Sequence, residues 1–432
     1  MTKSDRDLMR TATTKCCVVG GGPAGMMLGL LLARAGIDVT VLEKHADFLR
    51  DFRGDTIHPS TLCVMEELGL LDEFLELPHN PVRALEVDVG NTRMRFANFG
   101  FLPEKRGFIA MMPQWHFLKF LAEKAACYPN FHLHMQANVT DILEADGRVA
   151  GVHAETPDGP LDIKADLVIG CDGRHSTVRA RAGFQIEDIG APIDVLWMRI
   201  SRKPGESSSA GRIDTGSFFV MLDRGDYWQL AYVIPKGGAD KLKSEGLPAF
   251  RRLIATAAPF LAARVDELKS WDDVKLLTVR IDRLRKWYEP GLLCIGDAAH
   301  AMSPVGGVGI NLAIQDAVAA ANLLWQPLME GRVSVDDLAR VQKRRAFPMK
   351  VTQRLQVFVQ NNVIEKVLKS SKPLSAPWPL RLVGRSSWLQ HVPARLIGMG
   401  VRPEHVHSPA AASKSHQPAS QMRRLPRPEQ AA

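Results

Sequence analysis

A glycine-rich turn near the N-terminus constrains the fold of this chain more than any other feature. Gly20, Gly22 and Gly25 have the spacing Gly-x-Gly-x-x-Gly, between a predicted strand (16–19) and a predicted helix (24–35). The first glycine of such a unit permits a tight turn, the second lets the backbone approach a pyrophosphate, and the third lets the helix pack closely on the sheet. The helix N-terminus adds a partial positive charge for phosphates. The segment predicts the first unit of a parallel, doubly wound sheet that binds a dinucleotide.

An acidic residue ends the next predicted strand. Glu43 follows Gly25 by 18 residues, where a carboxylate can bond both hydroxyls of an adenosine ribose and disfavours a 2′-phosphate. A glycine turn with a purely structural role is the alternative. The order of strand, turn, helix and acidic residue favours a dinucleotide site.

A second segment places Asp172-Gly173 at the end of a predicted strand, with Ser176 and Arg179 following at helical spacing. An ordinary strand, turn and capped helix has the same pattern. By itself this segment therefore leaves the question of a site open.

A third segment places Gly296-Asp297 after a predicted strand, where the carboxylate can accept hydrogen bonds from a polyol chain. The loop that follows has few side chains, so its backbone can approach a planar ring. The amides that open the next helix can stabilise negative charge on that ring. A loop with a capping Asp is the alternative. The loop residues that we single out are Pro304, Gly306, Gly307, Gly309 and Asn311.

Charge narrows the classes of partner. The formal net charge is +8, but residues 341–432 hold 16 Lys and Arg against 3 Asp and Glu, which leaves residues 1–340 with a net charge of −5. The aromatic residues form no base-reading module, so we expect no nucleic acid partner. For the basic stretch 341–403 we consider two interpretations. It is either a membrane-surface segment that gives access to a lipophilic substrate, or a set of helices that covers the main domain.

The six cysteines include no Cys-x-x-Cys pair, and four of them lie in apolar runs. We therefore expect reduced thiols in a cytoplasmic protein, with neither a disulfide framework nor a metal site. We also expect no apolar stretch to approach the roughly 18 residues that span a bilayer, so any membrane contact is peripheral. Composition further predicts that residues 1–14 and the basic tail 404–432 are disordered.

The three segments, in this order over residues 15–325, resemble those of the flavoprotein aromatic hydroxylases of the 4-hydroxybenzoate hydroxylase type. The resemblance implies an α/β fold in which a Rossmann-type (GR2) FAD-binding domain is interleaved with a smaller β-rich substrate domain and followed by C-terminal helices. It assigns residues 15–80, 104–183 and 278–345 to the FAD-binding domain, 81–103 and 184–277 to the substrate domain, and 346–403 to a C-terminal helical segment.

The resemblance also assigns cofactor roles. Glu43 would hold the adenosine ribose of FAD, and Asp297 its ribityl chain. The loop glycines would line the pyrimidine edge of the flavin, with Pro304 near the ring. The remaining residues that it assigns to FAD are Arg53 at the phosphates or adenosine, Gln114 at the ribityl or ring portion, and Asp172 and Arg179, which would also support NADH or NADPH as a transient reductant.

The implied reaction is a monooxygenation, in which reduced flavin and O2 form a C4a-hydroperoxide that hydroxylates an aromatic, phenolic or other electron-rich small molecule. The residues that read a carboxylated phenol in the best-known family member have no equivalents here, so a small benzoate is not supported. The alternatives are a reductase or dehydrogenase of the same fold acting on a prenyl or quinone-type substrate, and a catalytically silent flavin-binding regulator. We expect a monomer or a homodimer.

Alternating strands in residues 192–235 supply candidates for a substrate pocket, namely Trp197, Phe219, Met221, Trp228 and Tyr232. For each of them an ordinary core position is the alternative. His58 is a candidate base for a phenol because the ordinary pKa of imidazole lies near neutrality. A role at a helix start or beside the flavin is the alternative for His58.

Overall fold

The computed structural model describes residues 10–49, 56–90, 92–206, 211–371 and 378–411 of the chain. Within these ranges the strands, in chain order, are β1 (Arg10–Val19), β2 (Val39–Glu43), β3 (Thr56–Ile57), β4 (Asn80–Val82), β5 (Ala84–Val89), β6 (Thr92–Asn98), β7 (Ile109–Met111), β8 (Phe131–Met135), β9 (Asn138–Ala145), β10 (Arg148–Thr156), β11 (Gly159–Gly170), β12 (Ile186–Asp188), β13 (Ile193–Ser201), β14 (Gly211–Asp214), β15 (Ser217–Asp223), β16 (Tyr227–Pro235), β17 (Lys275–Leu277), β18 (Asp282–Leu284), β19 (Tyr288–Glu289) and β20 (Leu292–Cys294).

The helices of the same ranges are α1 (Pro23–Arg34), α2 (Pro59–Glu67), α3 (Leu71–Leu75), α4 (Gln114–Ala125), α5 (Thr177–Arg181), α6 (Ala239–Glu245), α7 (Leu247–Ala257), α8 (Gly309–Met329), α9 (Val335–Val359), α10 (Glu365–Lys369), α11 (Trp378–Arg385) and α12 (Ser387–Gly398). Short 3-10 turns cover Pro259–Glu267, Trp271–Asp273, Gly296–Ala298 and Val305–Gly307, and a π-helical turn covers Gln360–Ile364.

An eight-stranded sheet forms the centre of the FAD-binding part, in the order β19-β20-β11-β1-β2-β8, with the β9–β10 hairpin paired to β11. Strand β1 runs parallel to both β2 and β11, so that Cys16 lies opposite Val39 on one side and Leu167 on the other. The carboxyl ends of β1, β11 and β20 therefore meet at one edge. Each is followed by one of the three segments that the sequence singled out.

Helix α1 is buried from Ala24 to Ala33 because it lies between the sheet and helices α4 and α8. A Cβ on Gly29 would come within 2.8 Å of Val41 and 2.9 Å of Phe131. The helix therefore packs on the sheet at a distance that only glycine permits at this point. Such close packing places the N-terminus of α1 directly beyond the end of β1.

A seven-stranded sheet, in the order β17-β13-β16-β15-β14-β5-β6, makes up the second region. One of its faces packs against α7 and the turn Pro259–Glu267. The opposite face packs against Val305 and the turn Gln360–Ile364. Both faces are apolar, and the second one packs against Val305 of the third glycine-rich segment. The predicted α/β class with a β-rich second region and C-terminal helices is confirmed.

The structure corrects the predicted ends of the ordered chain. Residues 10–14 were predicted to be disordered, but they form the first half of β1 and pair with β11. Residues 404–411 were predicted as part of a disordered tail, yet the side chain of Glu404 is buried, and Ala411 N donates to Arg34 O over 2.8 Å. Short segments without a hydrophobic pattern are held here by hydrogen bonds to the domain. The predicted disorder of residues 1–9 and 412–432 falls outside the described residues.

One segment, Val305–Met329, is long and apolar enough to cross a membrane, which the sequence analysis did not expect. Within the described ranges, 67% of its most apolar window is buried inside the fold. Its helix, α8, contacts α1 and α9 and serves as a core helix. All six cysteines are free, and five of them are buried.

Candidate functional site

The turn after β1 is shaped by close backbone contacts. Gly20 has φ = +108°, and a Cβ there would lie 2.5 Å from Cys171 O. A Cβ on Gly25 would lie 1.9 Å from Gly20 O, whereas one on Gly22 would meet no atom within 4 Å. Gly22 therefore borders open space at the N-terminus of α1, where free amides point. A pyrophosphate fits this cradle, and the side chain of any other residue would fill it.

Glu43 lies beside this turn. It is 7% exposed, and its Oε2 accepts from Gly21 N over 3.0 Å while its Oε1 accepts from His45 N over 3.0 Å. A Cβ on Gly21 would lie 2.9 Å from Glu43 Cβ. The carboxylate is therefore held against the glycine turn, at the end of β2 where the sequence predicted the ribose of the adenosine.

Asp172 caps helix α5. Its Oδ2 accepts from Thr177 N over 2.7 Å and from Val178 N over 3.2 Å, as in the capped-helix alternative. Its Oδ1 is buried and has no hydrogen-bond partner within the described ranges. Burial raises the pKa of Asp172 despite the hydrogen bonds from Ser176 and the backbone amides, which lower it. Gly173 follows as part of the turn. The residue thus fixes the local structure and retains one free acceptor.

Arg179 is 5% exposed and connects the second segment to the third. Its Nη1 donates to Ala298 O over 3.2 Å, its Nη2 donates to Arg174 O over 2.6 Å, and Nη1 lies 3.8 Å from Asp282 Oδ1. The guanidinium is therefore occupied by protein groups. The bond to Ala298 O connects it to the turn that carries Asp297, and the prediction that Arg179 supports the cofactors stays a prediction.

The third segment comes next to the first. A Cβ on Gly296 would lie 3.3 Å from Ala24 Cβ at the start of α1. The adjacent Asp297 has a side chain that is 35% exposed, with Oδ2 3.9 Å from Arg174 Nη2. An accessible carboxylate at the edge of the sheet is suited to accept hydrogen bonds from ribityl hydroxyls. The geometry is compatible with the predicted role of Asp297.

The turn at Gly296 is held by a buried acid that the sequence analysis missed. Asp316 Oδ2 accepts from Gly296 N over 3.2 Å and lies 2.6 Å from His300 Nε2. Burial would raise the pKa of Asp316, but the charges and hydrogen bonds of His300 and Arg345 lower it below the ordinary value. Asp316 lies within a buried helix among Ala and Ile residues, and a lone charge in such a stretch is the signal that could have identified it.

The glycine loop lies against β3 and the start of α2. Thr56 Oγ1 donates to Gly307 O over 2.9 Å. A Cβ on Gly307, where φ is +64°, would lie 2.8 Å from Thr56 Oγ1 and 3.5 Å from His58 Nε2. Pro304 precedes the turn Val305–Gly307, and Gly309 begins α8. The loop therefore presents backbone to the site, as the sequence predicted.

Asn311 was predicted to bind cofactor, but its side chain is committed elsewhere. Its Oδ1 accepts from His58 N over 2.9 Å and from Thr61 Oγ1 over 2.7 Å, and its Nδ2 donates to Thr56 O over 3.2 Å. These three bonds leave the amide little capacity for a ligand. Asn311 joins α8 to the start of α2 and so positions His58.

His58 is fully buried at the N-terminus of α2, next to the glycine loop. Its Nδ1 donates to Ile397 O of α12 over 2.8 Å, and its Nε2 has no hydrogen-bond partner in the described part of the chain. Burial lowers the pKa of His58 to about 4, although the bond to Ile397 raises it. An imidazole with so low a pKa is a poor base for a phenol at neutral pH. The structure therefore favours the alternative of a role at a helix start, because a neutral His58 precedes the first residue of α2.

Four of the five predicted pocket residues belong to the core instead. They share the sheet face that packs on α7 and the turn Pro259–Glu267. Tyr232 is in edge-to-face contact with Phe250, with 5.9 Å between ring centroids, and Trp228 Nε1 donates to Glu206 Oε2 over 3.1 Å. The prediction chose this face because side chains alternate between the two faces of a strand and both faces of this sheet are buried. The alternating pattern alone does not show which face lies toward the glycine loop. The four residues are Phe219, Met221, Trp228 and Tyr232.

Trp197, the fifth pocket candidate, lies on the other face of this sheet. It lies opposite Ala231, which in turn lies opposite Val220, and this face packs near Val305 of the flavin loop. The Nε1 of Trp197 is buried without a hydrogen-bond partner within the described ranges. Phe218 shares this face and was missed. Side chains on one face of a sheet recur at every second position of a strand and lie beside those of the paired residues on the next strand. Applied from Trp197 onward, this rule could have identified both Val220 and Phe218.

Two predicted cofactor residues remain. Gln114 opens α4 directly after Pro113, as expected from its position in the sequence. Arg53 lies outside the described residues. The assignment of both residues to FAD stays a prediction.

Known proteins share the family of this chain. The FAD binding domain family matches residues 13–355. The 6-methylpretetramide 4-monooxygenase of Streptomyces rimosus is 33% identical over 359 residues, which cover 83% of this chain and 86% of that protein. Dialkyldecalin synthase of Streptomyces rugosporus is 26% identical over 321 residues, which cover 72% of this chain and 64% of that longer protein.

Solved structures share the fold. The p-nitrophenol 4-monooxygenase PnpA from Pseudomonas putida DLL-E4 superimposes with a TM-score of 0.70 at 21% identity, covering 91% of this chain and 100% of that one. The chain therefore belongs to the FAD-dependent aromatic hydroxylase superfamily, as its three motifs predicted. Within that superfamily its enzyme class is the FAD-dependent monooxygenase.

Proposed function

We propose that this enzyme uses NADH or NADPH together with O2 to hydroxylate an aromatic, phenolic or otherwise electron-rich small molecule. One observation carries the proposal. The turn of Gly296, which carries the partly exposed carboxylate of Asp297, lies against the start of α1 beside the glycine cradle at Gly22, and the glycine loop leads from it into α8. When bound there, FAD would supply the activation of O2.

The residues of this chain hold the cofactor and the ring. The amides at Gly22 would bind the pyrophosphate, Glu43 the adenosine ribose and Asp297 the ribityl chain. The loop at Gly306 and Gly307 would contact the pyrimidine edge, with Pro304 beside the ring. No second Gly-x-Gly-x-x-Gly turn is present in the sequence, so we propose that the nicotinamide cofactor visits the flavin without a domain of its own.

The substrate side of the site is apolar. The sheet face of Trp197, Phe218 and Val220 would cover the substrate, and α12 contributes Ile397, whose carbonyl oxygen holds His58. An apolar enclosure excludes water from the reacting groups, which protects the activated oxygen until the ring is in place. His58 Nε2, neutral and unpartnered, would accept one hydrogen bond in this enclosure and orient the donor group.

Oxygen-labelling tests the reaction. We expect purified yellow protein to oxidise NADH or NADPH faster when a suitable phenol from a phenolic and quinone library is added, and to incorporate label from ¹⁸O2 into the product. Faster flavin reduction without labelled product would favour the reductase or dehydrogenase alternative. Failure to oxidise either nicotinamide with any ligand would favour the silent flavin-binding regulator.

The described part of the basic stretch 341–403 covers the core around the eight-stranded sheet, because α9 buries Val341 and Met349 in it. Trp388 and Val392 are exposed apolar side chains four residues apart on α12, which places them on one face of that helix. We propose that this face makes peripheral contact with a membrane. Flotation with anionic phosphatidylserine vesicles tests the contact, and protein that stays unbound would contradict it. Size-exclusion chromatography with light scattering separately distinguishes a monomer from a homodimer.

A further inference from the structure

Three buried glutamines follow one face of α9 and its extension. Gln353, Gln356 and Gln360 are spaced by three and four residues, which places them in a row, and their exposed fractions are 1%, 4% and 0%. A buried amide is costly unless it forms hydrogen bonds, and apolar residues would fill the same space without that cost. The row therefore needs an explanation that its packing alone does not provide.

Gln356 binds only the backbone of the segment that precedes the loop glycines. Its Oε1 accepts from Ser303 N over 3.2 Å, and its Nε2 donates to Ser303 O over 3.0 Å and to Val305 O over 2.9 Å. These three bonds reach both sides of Pro304. One side chain thus fixes the backbone on either side of the residue assigned to the flavin ring.

The other two glutamines extend this contact. Gln353 Nε2 donates to Ala301 O over 3.2 Å and to Asp282 O over 2.9 Å. Gln360 Nε2 donates to Ser303 Oγ over 2.5 Å, and the same oxygen accepts from Val305 N over 3.2 Å. Gln360 also begins the π-helical turn Gln360–Ile364, and such turns are frequent at functional sites.

The nature of the loop explains why outside support is needed. A loop that brings its backbone against a planar ring has to be nearly free of side chains, so it cannot anchor itself by packing. Gly306 and Gly307 both have positive φ and contribute the conformational freedom of glycine. We propose that Gln353, Gln356 and Gln360 are positioning residues that hold residues 301–305 from behind, and so set the position of the glycine loop against the flavin. The proposal rests on the assignment of this loop to FAD in the proposed function.

Substitution of Gln356 tests the proposal. Gln356→Leu keeps the approximate volume and removes all three bonds to the loop. We expect the visible absorption spectrum of the bound flavin to shift, and the dissociation constant for FAD, measured by titrating the apoprotein, to rise about tenfold. A fold-stabilising role alone would leave the flavin spectrum unchanged.

Gln342 of the same helix provides a matched control. It is partly buried, accepts from Trp287 N over 3.1 Å and donates to Arg285 O over 2.8 Å. It therefore also binds backbone, but not that of the flavin loop. Gln342→Leu should lower the melting temperature and leave both the flavin spectrum and the FAD dissociation constant unchanged. Equal spectra and equal FAD affinities in the two variants would overturn the proposal.

If Gln356→Leu does not fold, a second pair of variants tests the proposal. Gln360→Leu and Ser303→Ala each remove the contact between the two side chains, so their effects on the flavin spectrum should be non-additive in the double variant. Additive effects would contradict the proposal. None of these readouts needs substrate or turnover, so they stay informative even if the labelling experiment shows no hydroxylation.

Discussion

Arg345 donates from Nε to Asp316 Oδ1 over 2.8 Å, and the two side chains have exposed fractions of 1% and 0%. The same guanidinium reaches Glu404 Oε1 over 3.3 Å. Asp316 also accepts a hydrogen bond from Gly296 N. A chain of ion pairs and hydrogen bonds therefore connects the C-terminal segment to the turn that carries Asp297. Residues far apart in the sequence thereby determine where the carboxylate of Asp297 lies.

Removal of Arg345 should destabilise the fold strongly. Arg345→Met leaves Asp316 and Glu404 buried without their shared cation, and we expect a loss of about 3–5 kcal/mol in the free energy of unfolding. Urea denaturation followed by circular dichroism measures it. The control is Arg340→Met in the same helix, whose pair with Asp337 is exposed on the arginine side and should contribute at most about 1 kcal/mol. Equal losses in the two variants would contradict the importance of the buried pair.

Acid should destabilise the protein through His58. Its pKa is about 4 in the folded state against 6.5 ordinarily, so the unfolded state binds the extra proton first as the pH falls. The stabilising contribution is complete above pH 6.5 and is lost progressively toward pH 4, by about 3 kcal/mol. Urea denaturation at pH 7 and pH 4 measures this loss. The variant His58→Gln should lose correspondingly less stability between the two pH values, and an identical loss would show that His58 does not titrate as described.

Substitution by alanine should have different effects on the fold and on FAD binding at Gly22 and at Gly25. In Gly22→Ala the new methyl group enters open space, so the fold should persist while FAD binding weakens. In Gly25→Ala the methyl group meets Gly20 O at 1.9 Å, so the fold itself should be disrupted. Thermal melting of the apoproteins and FAD titration separate the two effects. A normal FAD affinity in Gly22→Ala would argue against the pyrophosphate site.

Asp297 should affect the cofactor without affecting the fold. Because its side chain is partly exposed, Asp297→Ala should retain the melting temperature of the wild-type apoprotein. It should nevertheless purify largely without flavin. The ratio of flavin to protein absorbance measures the occupancy. The exposed Asp272, remote in sequence from the site, serves as the control, and full occupancy in Asp297→Ala would contradict the assigned role.

Two tryptophans distinguish the faces of the second sheet. Trp228 is 1% exposed, so Trp228→Ala should lower the free energy of unfolding by about 3 kcal/mol. It should have little effect on the KM for the aromatic substrate. Trp197 lies on the face toward the flavin loop, so Trp197→Ala should raise that KM and cost less stability. A larger change of KM in the Trp228 variant would reverse the assignment of the faces.

Local sequence was sufficient to predict the backbone geometry of the glycine turn, the end of β2 and the glycine loop. Close backbone approach at Gly20, a carboxylate at the end of β2 and a side-chain-poor loop at Gly307 are each properties of a few consecutive residues. Their physical consequences follow from the chain itself. The parallel sheet then brings them to one edge, because its strands all end on the same side.

The roles of His58, Asn311 and Arg179 were not accessible in this way. Each of these side chains is occupied by a partner far away in the sequence, and that partner decides whether it meets the ligand or supports it. The sequence made His58 a candidate base because the ordinary pKa of imidazole lies near neutrality. Its burial beneath Ile397, more than 300 residues later, makes it a neutral acceptor.

By itself, the sequence determined the fold class and the cofactor, because the motifs that indicate them depend on short-range geometry. Only the tertiary structure decided how the two faces of the second sheet pack and which buried charges and amides hold the turn at Gly296 and the glycine loop. Both depend on contacts between segments distant in sequence. An alternating apolar strand is compatible with more than one set of such contacts, and so is an isolated polar residue in a helix. The packing of the whole chain decides which set of contacts forms.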